Sequence, residues 1–205
     1  MSLEIINCKV CLIGSSSVGK SCVSNRYIEN KFDEKLQCTI NAAYFKKIVE
    51  TPVGRVQLNI WDTAGQEKYR ALGKHFYKDA FIICFIYDIT KKETFEDIKN
   101  IWYPDLKKYG EKYTVTAVIG NKIDLYMNKE VADIDAQNFA KEIGAVFGYV
   151  SAKDGIGVNE VFDKLVSEFI KPEFSALMKK IKEKRRGSFM FKKSLNKHQK
   201  RKECC

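Results

Sequence analysis

Hydrophobic positions along the first 170 residues follow two alternating periods. Short runs rich in β-branched and aromatic residues predict strands, at residues 5–13, 42–50, 55–61, 80–87, 115–120 and 145–151. Between them, apolar residues spaced three or four apart predict helices, at residues 21–29, 93–109, 134–143 and 158–170. Because parallel strands need helical crossovers, this alternation predicts an α/β fold with a mostly parallel sheet.

Two prolines refine these boundaries. Residues 51–54, with the sequence Thr-Pro-Val-Gly, form a turn signal between the second and third strands, so we expect a hairpin there. Pro104 lies inside the helical pattern at 93–109. Proline lacks a backbone N–H and clashes with the preceding turn, so this helix is expected to be kinked or shortened.

Length and composition are those of one domain with a buried core, since 45% of the 205 residues are hydrophobic and 30% are charged. The longest apolar run covers residues 80–87. It is far shorter than the ~20 residues that span a bilayer, so no transmembrane helix is expected.

Residues 1–7 lack the pattern of a secretory signal. The seven cysteines are therefore expected to be reduced thiols.

The net charge of +10 is concentrated at the C-terminus. Residues 179–205 hold twelve of the 36 Lys and Arg against two acidic residues, which leaves 24 of each sign in residues 1–178. We therefore expect a neutral domain at 1–175 and a disordered basic tail at 176–205. The tail could be a solvated extension, bind nucleic acid or bind a membrane. A nucleic-acid partner is not expected, because such domains carry their charge on the folded face.

The first strand ends in a phosphate-binding motif. Residues 14–21, Gly-Ser-Ser-Ser-Val-Gly-Lys-Ser, match G-x-x-x-x-G-K-[ST] between a predicted strand and a predicted helix. Gly14 and Gly19 let the backbone curl so that its N–H groups face an anion. Lys20 adds a full charge for the β- and γ-phosphates, and the Ser21 hydroxyl is a hard oxygen ligand for Mg²⁺.

A second motif, Asp62-Thr63-Ala64-Gly65-Gln66-Glu67, follows the third strand. Asp62 would lie at the ligand edge of a parallel sheet, where it can hold Mg²⁺ through water. Gly65 can bring its N–H against a γ-phosphate without a side chain in the way. Gln66 carries both a donor and an acceptor, which suits it to orient an attacking water.

A third motif is divided between the ends of the last two strands, at residues 121–124, Asn-Lys-Ile-Asp, and 151–153, Ser-Ala-Lys. The Asp124 carboxylate can accept hydrogen bonds from N1–H and the 2-amino group of guanine, a pair that adenine lacks. The stems of Lys122 and Lys153 can cover the faces of the base. The Ala152 N–H could reach the guanine O6.

With these motifs in this order, the chain resembles the Ras-like small GTPases over residues 5–171. The resemblance implies a P-loop NTPase fold, with a six-stranded sheet flanked by five helices, and a GTP or GDP site with Mg²⁺. It implies that Ser21, Thr39 and Asp62 hold the metal, and that Gln66, Lys20 and Thr39 are catalytic. The implied nucleotide-binding residues are Gly14, Ser17, Val18, Gly19, Lys20, Ser21, Cys22, Phe32, Thr39, Gly65, Asn121, Lys122, Asp124, Ser151, Ala152 and Lys153.

Within that superfamily the chain is most similar to Rabs, through residues 61–70 and an aromatic triad at Tyr44, Trp61 and Phe76. Residues 39–44 look most like the endosomal branch. The resemblance implies a monomer on the cytosolic face of intracellular membranes that cycles with the cytosol. Its implied partners are effectors, an exchange factor, a GTPase-activating protein, and an escort protein or dissociation inhibitor. The terminal pair Cys204 and Cys205 is like the prenylated double cysteine of Rabs.

Several positions depart from the family pattern, namely Ser17, Leu36, Cys38 and Asn41. They leave open a nucleotide-binding scaffold of the same fold with negligible hydrolysis. Residues 102–105, Trp-Tyr-Pro-Asp, look more like a Rho-type helix, so a Rho-like GTPase is a further alternative. An ATP-dependent P-loop enzyme is a third alternative, and competition between GTP and ATP separates it from the first interpretation.

Overall fold

The computed structural model describes residues 5–34, 39, 42–63, 73–111 and 113–172, and for residues 73 and 74 the backbone alone. Two units divide the chain, at residues 1–168 and 169–205. Seven positions singled out from the sequence lie outside the described residues: Leu36, Cys38, Asn41, Gly65, Gln66, Cys204 and Cys205. The predicted division at residue 175 also lies outside them and stays a prediction.

The six predicted strands are present. They are β1 (Ile6–Ile13), β2 (Ala43–Thr51), β3 (Gly54–Asp62), β4 (Ile82–Asp88), β5 (Val115–Asn121) and β6 (Val146–Val150). Strands β2 and β3 pair antiparallel as the predicted hairpin, with Thr51 opposite Gly54 across the turn. The other neighbouring strands pair parallel, which gives one sheet in the order β2-β3-β1-β4-β5-β6.

Helical segments connect the strands in the described parts of the chain. They are α1 (Lys20–Glu29), α2 (Gly73–Tyr77), α3 (Lys92–Asp97), a π-helical turn (Ile98–Trp102), α4 (Tyr103–Tyr109), a 3₁₀ turn (Ile123–Asn128), α5 (Asp133–Glu142) and α6 (Val158–Phe169). Because α3, the π turn and α4 follow one another without a break, residues 92–109 count as one helix. With α1, α2, α5 and α6 it makes five, which confirms the predicted architecture within the described ranges. None of these helices is both long and apolar enough to cross a membrane.

The predicted kink at Pro104 takes a different form. The Tyr103 N–H donates to the Ile98 carbonyl, five residues back, so the helix widens into a π turn just before the proline. Pro104, which has no N–H to donate, then follows directly after this π turn as the second residue of α4. The π turn accommodates the proline, and the helical segment continues to Tyr109.

The centre of the sheet forms the core. All seven residues of β4 are buried, and the neighbouring strands β1 and β5 are buried over most of their length. Strands with both faces covered read as continuous apolar runs, which is why residues 80–87 stood out in the sequence. The four described cysteines, Cys8, Cys11, Cys22 and Cys84, are free thiols, as predicted.

The strand order determines where a ligand can bind. The connection leaving β1 crosses to one side of the sheet, to β2 and β3, and the next connection crosses back past β1 to β4. A crevice opens beyond the carboxyl ends of parallel strands at such a switch point. The three sequence motifs follow the carboxyl ends of β1, β3, β5 and β6, so the fold directs all of them to that edge.

Candidate functional site

The phosphate loop, residues 14–19, lies between β1 and α1. Gly14 has φ +153° and packs so closely on β4 that a Cβ there would lie 2.1 Å from the Ile86 carbonyl oxygen. Gly19 has φ +91° and precedes the first turn of α1. The Lys20 ammonium donates to the carbonyls of Gly14 and Ser15, at 2.8 Å each, and its side chain is almost fully buried. The loop therefore curls around a lysine charge at a helix N-terminus.

Three oxygen-bearing side chains meet beside that helix. The Ser21 hydroxyl donates to Asp62 Oδ2 at 2.5 Å and lies 2.6 Å from the Thr39 hydroxyl. Asp62 is 1% exposed, and its Oδ1 has no hydrogen-bond partner among the described residues. Burial raises the pKa of the Asp62 carboxyl, while the Ser21 hydrogen bond and the Lys20 charge lower it, with a net rise.

These oxygens fit a divalent cation of the hard type. Two hydroxyls and one carboxylate are the ligand class that Mg²⁺ accepts. A buried carboxylate oxygen without a donor is costly unless something positive or a water satisfies it. The sequence-predicted metal residues Ser21, Thr39 and Asp62 are therefore brought together by the structure.

Asp124 and its neighbours form the opposite end of the site. The Ser151 hydroxyl donates to Asp124 Oδ1 at 2.7 Å and also accepts from the Asp154 N–H at 3.0 Å. Lys122 has the left-handed φ of +71°. Its ammonium forms a 2.6 Å ion pair with Asp88, at the end of β4, so it does not extend freely into solvent.

Asn121 connects the two ends. Its side-chain amide donates to the Val18 carbonyl at 2.8 Å, and its Oδ1 accepts from the Ala152 N–H at 3.3 Å. Asn121 is 1% exposed, so these bonds form away from water. One side chain thus ties the phosphate loop to residues 151–153, and the Ala152 N–H that was expected to reach a base is engaged by Asn121.

Between these groups lies a cavity of about 390 Å³, a size typical of small-molecule sites. The predicted residues that line it are Ser17, Gly19, Lys20, Ser21, Cys22, Phe32, Thr39, Asn121, Lys122, Asp124, Ala152 and Lys153. Gly14, Val18 and Ser151 do not line it. Gly14 packs on β4, Val18 is buried with its carbonyl on Asn121, and Ser151 is buried behind Asp124.

Comparison with known families decides the identity. The model of the Ras family matches residues 9–171. This range includes the phosphate loop, the cluster of Ser21, Thr39 and Asp62, and Asp124. The chain belongs to the Ras family. Members of this family bind GTP and GDP, and the matched residues include all those that line the cavity.

Individual relatives narrow the family further. Ras-related protein Rab-22A of Homo sapiens is 42% identical over 154 residues, which cover 75% of this chain and 79% of the relative. Ras-related protein Rab-21 of Geodia cydonium is 40% identical over 166 residues, covering 80% and 72%. Rab-21 of Homo sapiens is 38% identical over 162 residues, covering 79% and 72%. This Ras-family chain is therefore a Rab-like small GTPase.

The aromatic triad of this Rab-like chain is contiguous. The Tyr44 and Trp61 ring centroids are 5.1 Å apart, and those of Trp61 and Phe76 are 6.4 Å apart, all in tilted pairs. Tyr44 is 45% exposed, so the cluster reaches the surface. The Tyr44 hydroxyl donates to Asn59 Oδ1 at 2.7 Å, a contact that anchors its ring on β3 and that no motif indicated.

A lysine supports the other end of the triad. The Lys9 ammonium donates to the carbonyls of His75 and Lys78, at 2.9 and 2.7 Å. The same ammonium lies 5.8 Å from the centroid of the Trp61 ring, within cation–π range. Lys9 therefore joins the backbone around the end of α2 to the aromatic cluster.

Sequence reasoning missed several residues of the site. Five further residues line the cavity: Ser16, Asp33, Glu34, Thr63 and Leu125. Lys153 lies 3.7 Å from Glu34 in an exposed ion pair across the mouth. Ser16 and Thr63 lie within the motifs, so position alone could have indicated them. Asp33, Glu34 and Leu125 carry no pattern that would have.

Proposed function

We propose that this GTPase binds GTP and GDP with Mg²⁺, hydrolyses GTP, and acts as a membrane-attached switch in vesicle trafficking. The observation that carries the proposal is that one cavity is lined by a lysine-bearing phosphate loop at one end and by Asp124 at the other. A triphosphate and a purine joined by a ribose have that polarity, anionic at one end and hydrogen-bonding at the other.

At the phosphate end, the N–H groups of the loop and the N-terminus of α1 bind the phosphate oxygens. Lys20 transfers its hydrogen bonds from the Gly14 and Ser15 carbonyls to the β- and γ-phosphates. Ser21, Thr39 and Asp62 are the residues that would hold Mg²⁺. When bound, Mg²⁺ neutralises charge on the β- and γ-oxygens, which Lys20 alone would balance only in part.

At the base end, Asp124 accepts the guanine N1–H and 2-amino group while Ser151 holds its carboxylate. Phe32 and the stems of Lys122 and Lys153 cover the ring. Adenine would leave Asp124 without its donors, and a site built to satisfy such a group rejects the wrong ligand by ~10⁴–10⁵. This discrimination favours a GTPase over an ATP-dependent P-loop enzyme.

Hydrolysis requires Gln66 to orient the attacking water and Gly65 to contact the γ-phosphate. With GTP bound, the γ-phosphate would hold the segments that contain Thr39 and Gly65, and its loss on hydrolysis would release them. Residues 31–45 contain no arginine that could reach the phosphates in cis. Intrinsic turnover is therefore slow, and an activating protein that supplies an arginine raises it by ~10³–10⁵.

Membrane attachment comes from the C-terminus. One lipid chain binds membranes only marginally, and two prenyl groups on Cys204 and Cys205 beside a basic tail supply stable anchoring. Similarity to Rab-22A and Rab-21 and the pattern of residues 39–44 support an endosomal membrane. The monomeric protein cycles with the cytosol through an escort protein or dissociation inhibitor. Mass spectrometry of the native C-terminal peptide tests the anchor, and unmodified thiols would contradict it.

The triad at Tyr44, Trp61 and Phe76 is proposed as the surface that effectors recognise. It begins on β2 and β3, beside the segments that GTP orders, so an effector that contacts it would distinguish the two nucleotide states. An exchange factor and a GTPase-activating protein complete the cycle. The exposed ring of Tyr44 and its partner Trp61 support this role, because aromatic side chains dominate the energetics of protein interfaces.

Single-turnover phosphate release tests the enzyme against the scaffold alternative. We expect the parent protein to release one phosphate per bound GTP, slowly, and Gln66→Leu to slow that release about 10-fold or more. GDP affinity should be unchanged in the variant, because Gln66 acts on water. Equal release rates for parent and variant would contradict the role of Gln66, and no release from the parent would favour the scaffold.

A further inference from the structure

Arg26 lies on the second turn of α1, outside every motif, and its guanidinium is directed at the loop formed by residues 151–156, here called the base loop. Its Nε donates to the Ala152 carbonyl at 2.8 Å, and its Nη2 donates to the Lys153 carbonyl at 2.6 Å. The third nitrogen, Nη1, donates to the backbone and side-chain oxygens of Asn30, at 2.9 and 3.1 Å. All three nitrogens of the fork are therefore engaged.

The base loop is otherwise closed on itself. The Ser151 N–H donates to the Ile156 carbonyl at 2.9 Å, and the Gly155 N–H donates to the Ser151 carbonyl at 2.8 Å. Gly155 has φ +81°, and a Cβ there would lie 3.5 Å from the Arg26 Cδ. The aliphatic part of the Arg26 side chain thus packs on the base loop, while its guanidinium binds the carbonyls of Ala152 and Lys153.

The position of Arg26 along α1 connects the base loop to the phosphate end of the cavity. The same helix begins at Lys20 and Ser21, which line the phosphate end of the cavity. Arg26 follows by less than two turns, so a rigid helix about 9 Å long joins the phosphate end to the base loop. Asn121 makes the second connection, through the Val18 carbonyl and the Ala152 N–H.

We propose that Arg26 is a positioning residue for guanine recognition: it fixes the base loop so that the Ala152 N–H, which donates to Asn121 Oδ1 in this structure, transfers that bond to the guanine O6, and it couples that loop to the phosphate-binding helix. This inference rests on the proposed guanine site. Arg26 acts through the loop backbone and touches neither base nor phosphate, so its loss weakens the contribution of O6 and leaves that of other base atoms in place.

The experiment compares two nucleotides on the full-length protein. GDP carries O6 and N1–H, while the 5′-diphosphate of 2-aminopurine riboside retains the 2-amino group and lacks both. The Arg26 nitrogens bind Ala152, Lys153 and Asn30 rather than Asp124, the acceptor of N1–H, so a change in preference between the parent and an Arg26 variant reports on O6. The dissociation rate of each is measured for the parent, Arg26→Ala and Arg26→Lys. We expect Arg26→Ala to reduce the preference for GDP by up to about tenfold, the contribution of one neutral amide–carbonyl hydrogen bond. Arg26→Lys keeps the charge without the fork, and we expect an intermediate loss.

The chain provides two matched controls. Arg55→Ala removes an exposed arginine whose partner is Glu50 at 3.8 Å, away from the cavity, and should leave the preference unchanged. Asn30→Ala removes a side-chain contact of Arg26 that does not involve the base loop, and should change the preference less than twofold. A general loss of stability would speed the release of both nucleotides equally and would not change their ratio.

The possible outcomes distinguish the role of Arg26 from the guanine site on which it depends. A lower preference in both Arg26 variants with unchanged controls supports the positioning role. An unchanged preference in either variant overturns it, while the guanine site itself stands. A parent protein that binds both nucleotides equally overturns the guanine site and the inference that depends on it. If Arg26→Ala does not fold, the Arg26→Lys measurement decides alone.

Discussion

The ion pair between Asp88 and Lys122 provides the sharpest test of how the site is held together. Asp88 is 1% exposed, and its carboxylate accepts from the Lys122 ammonium at 2.6 Å and from the Thr90 N–H and hydroxyl at 2.9 and 2.7 Å. Asp88→Asn keeps the shape and can still accept from Thr90. It removes the charge that balances Lys122, whose side chain is 30% exposed.

The expected loss in the free energy of unfolding for Asp88→Asn lies between the values known for buried and for exposed ion pairs. Breaking a fully buried pair costs ~3–5 kcal/mol, and an exposed pair contributes ~0–1 kcal/mol. Because water reaches Lys122, we expect about 1–3 kcal/mol for Asp88→Asn. For a domain of this size, that lowers the melting temperature by about 2–12 °C. The melts are recorded at one fixed excess of GDP, and the GDP dissociation constant of each variant is measured so that the contribution of binding to its stability can be subtracted.

A double-mutant cycle isolates the pair. Combining Asp88→Asn with Lys122→Gln should cost less than the sum of the single variants, with a coupling of about 1–2 kcal/mol. Additive effects would refute the claim that Asp88 and Lys122 stabilise the domain through their ion pair.

The pH dependence of the same variant gives an independent check. Burial raises the pKa of the Asp88 carboxyl, but the hydrogen bonds from Lys122 and Thr90 outweigh it, so the pKa lies below its ordinary value. A depressed pKa means that the ionised carboxylate stabilises the fold above the unfolded pKa of about 3.9, and that this stability is lost as the pH falls through the folded value. The difference in the free energy of unfolding between the parent and Asp88→Asn should be constant from pH 5 to 7, because the whole of that range lies above about 3.9. It should shrink below about pH 4. A difference that persists at the lowest pH would contradict this.

Two further changes test other parts of the site. Gly14→Ala places a methyl group 2.1 Å from the Ile86 carbonyl oxygen, so we expect a loss of at least about 3 kcal/mol in urea unfolding. Gly144→Ala is the control, because Gly144 also has a positive φ, +65°, but nothing lies within 4 Å of the added carbon; we expect it to lose about 1 kcal/mol. Equal losses in the two variants would show that backbone strain alone, and not the close approach to β4, causes the loss at Gly14. Chelation of Mg²⁺ by EDTA should speed GDP release about tenfold or more in the parent and have little effect in Ser21→Ala, since removal of one ligand already weakens the metal. Equal responses of parent and variant to EDTA in a stopped-flow release assay would remove Ser21 from the metal site.

The sequence was sufficient for the sheet and the three motifs because both depend on local patterns. Strand β4 reads as an unbroken apolar run, and the phosphate loop is fixed by glycines at set spacing next to a lysine. Parallel strands present their carboxyl ends at one edge, so motifs that follow strands must converge. The convergence of Ser21 and Asp62 was therefore predictable without coordinates.

Contacts that depend on register between distant segments were not predictable. Asp88 reaches Lys122 because β4 and β5 pair with Asp88 opposite Asn121, and one residue of slip would separate them. Arg26 binds carbonyls 126 and 127 residues away, which present no side-chain pattern. The π turn before Pro104 was also missed, because an added residue in a helix leaves the apolar spacing ambiguous over so short a stretch.

The measurement that tests the central claim most directly is competition of GDP against ADP, with the parent and Asp124→Asn compared by calorimetry. If Asp124 selects the purine, the parent prefers GDP by ~10⁴ or more, and the variant loses most of that preference because an amide cannot accept from both guanine donors. Equal affinity of the parent for GDP and ADP, or an unchanged preference in Asp124→Asn, would contradict the account.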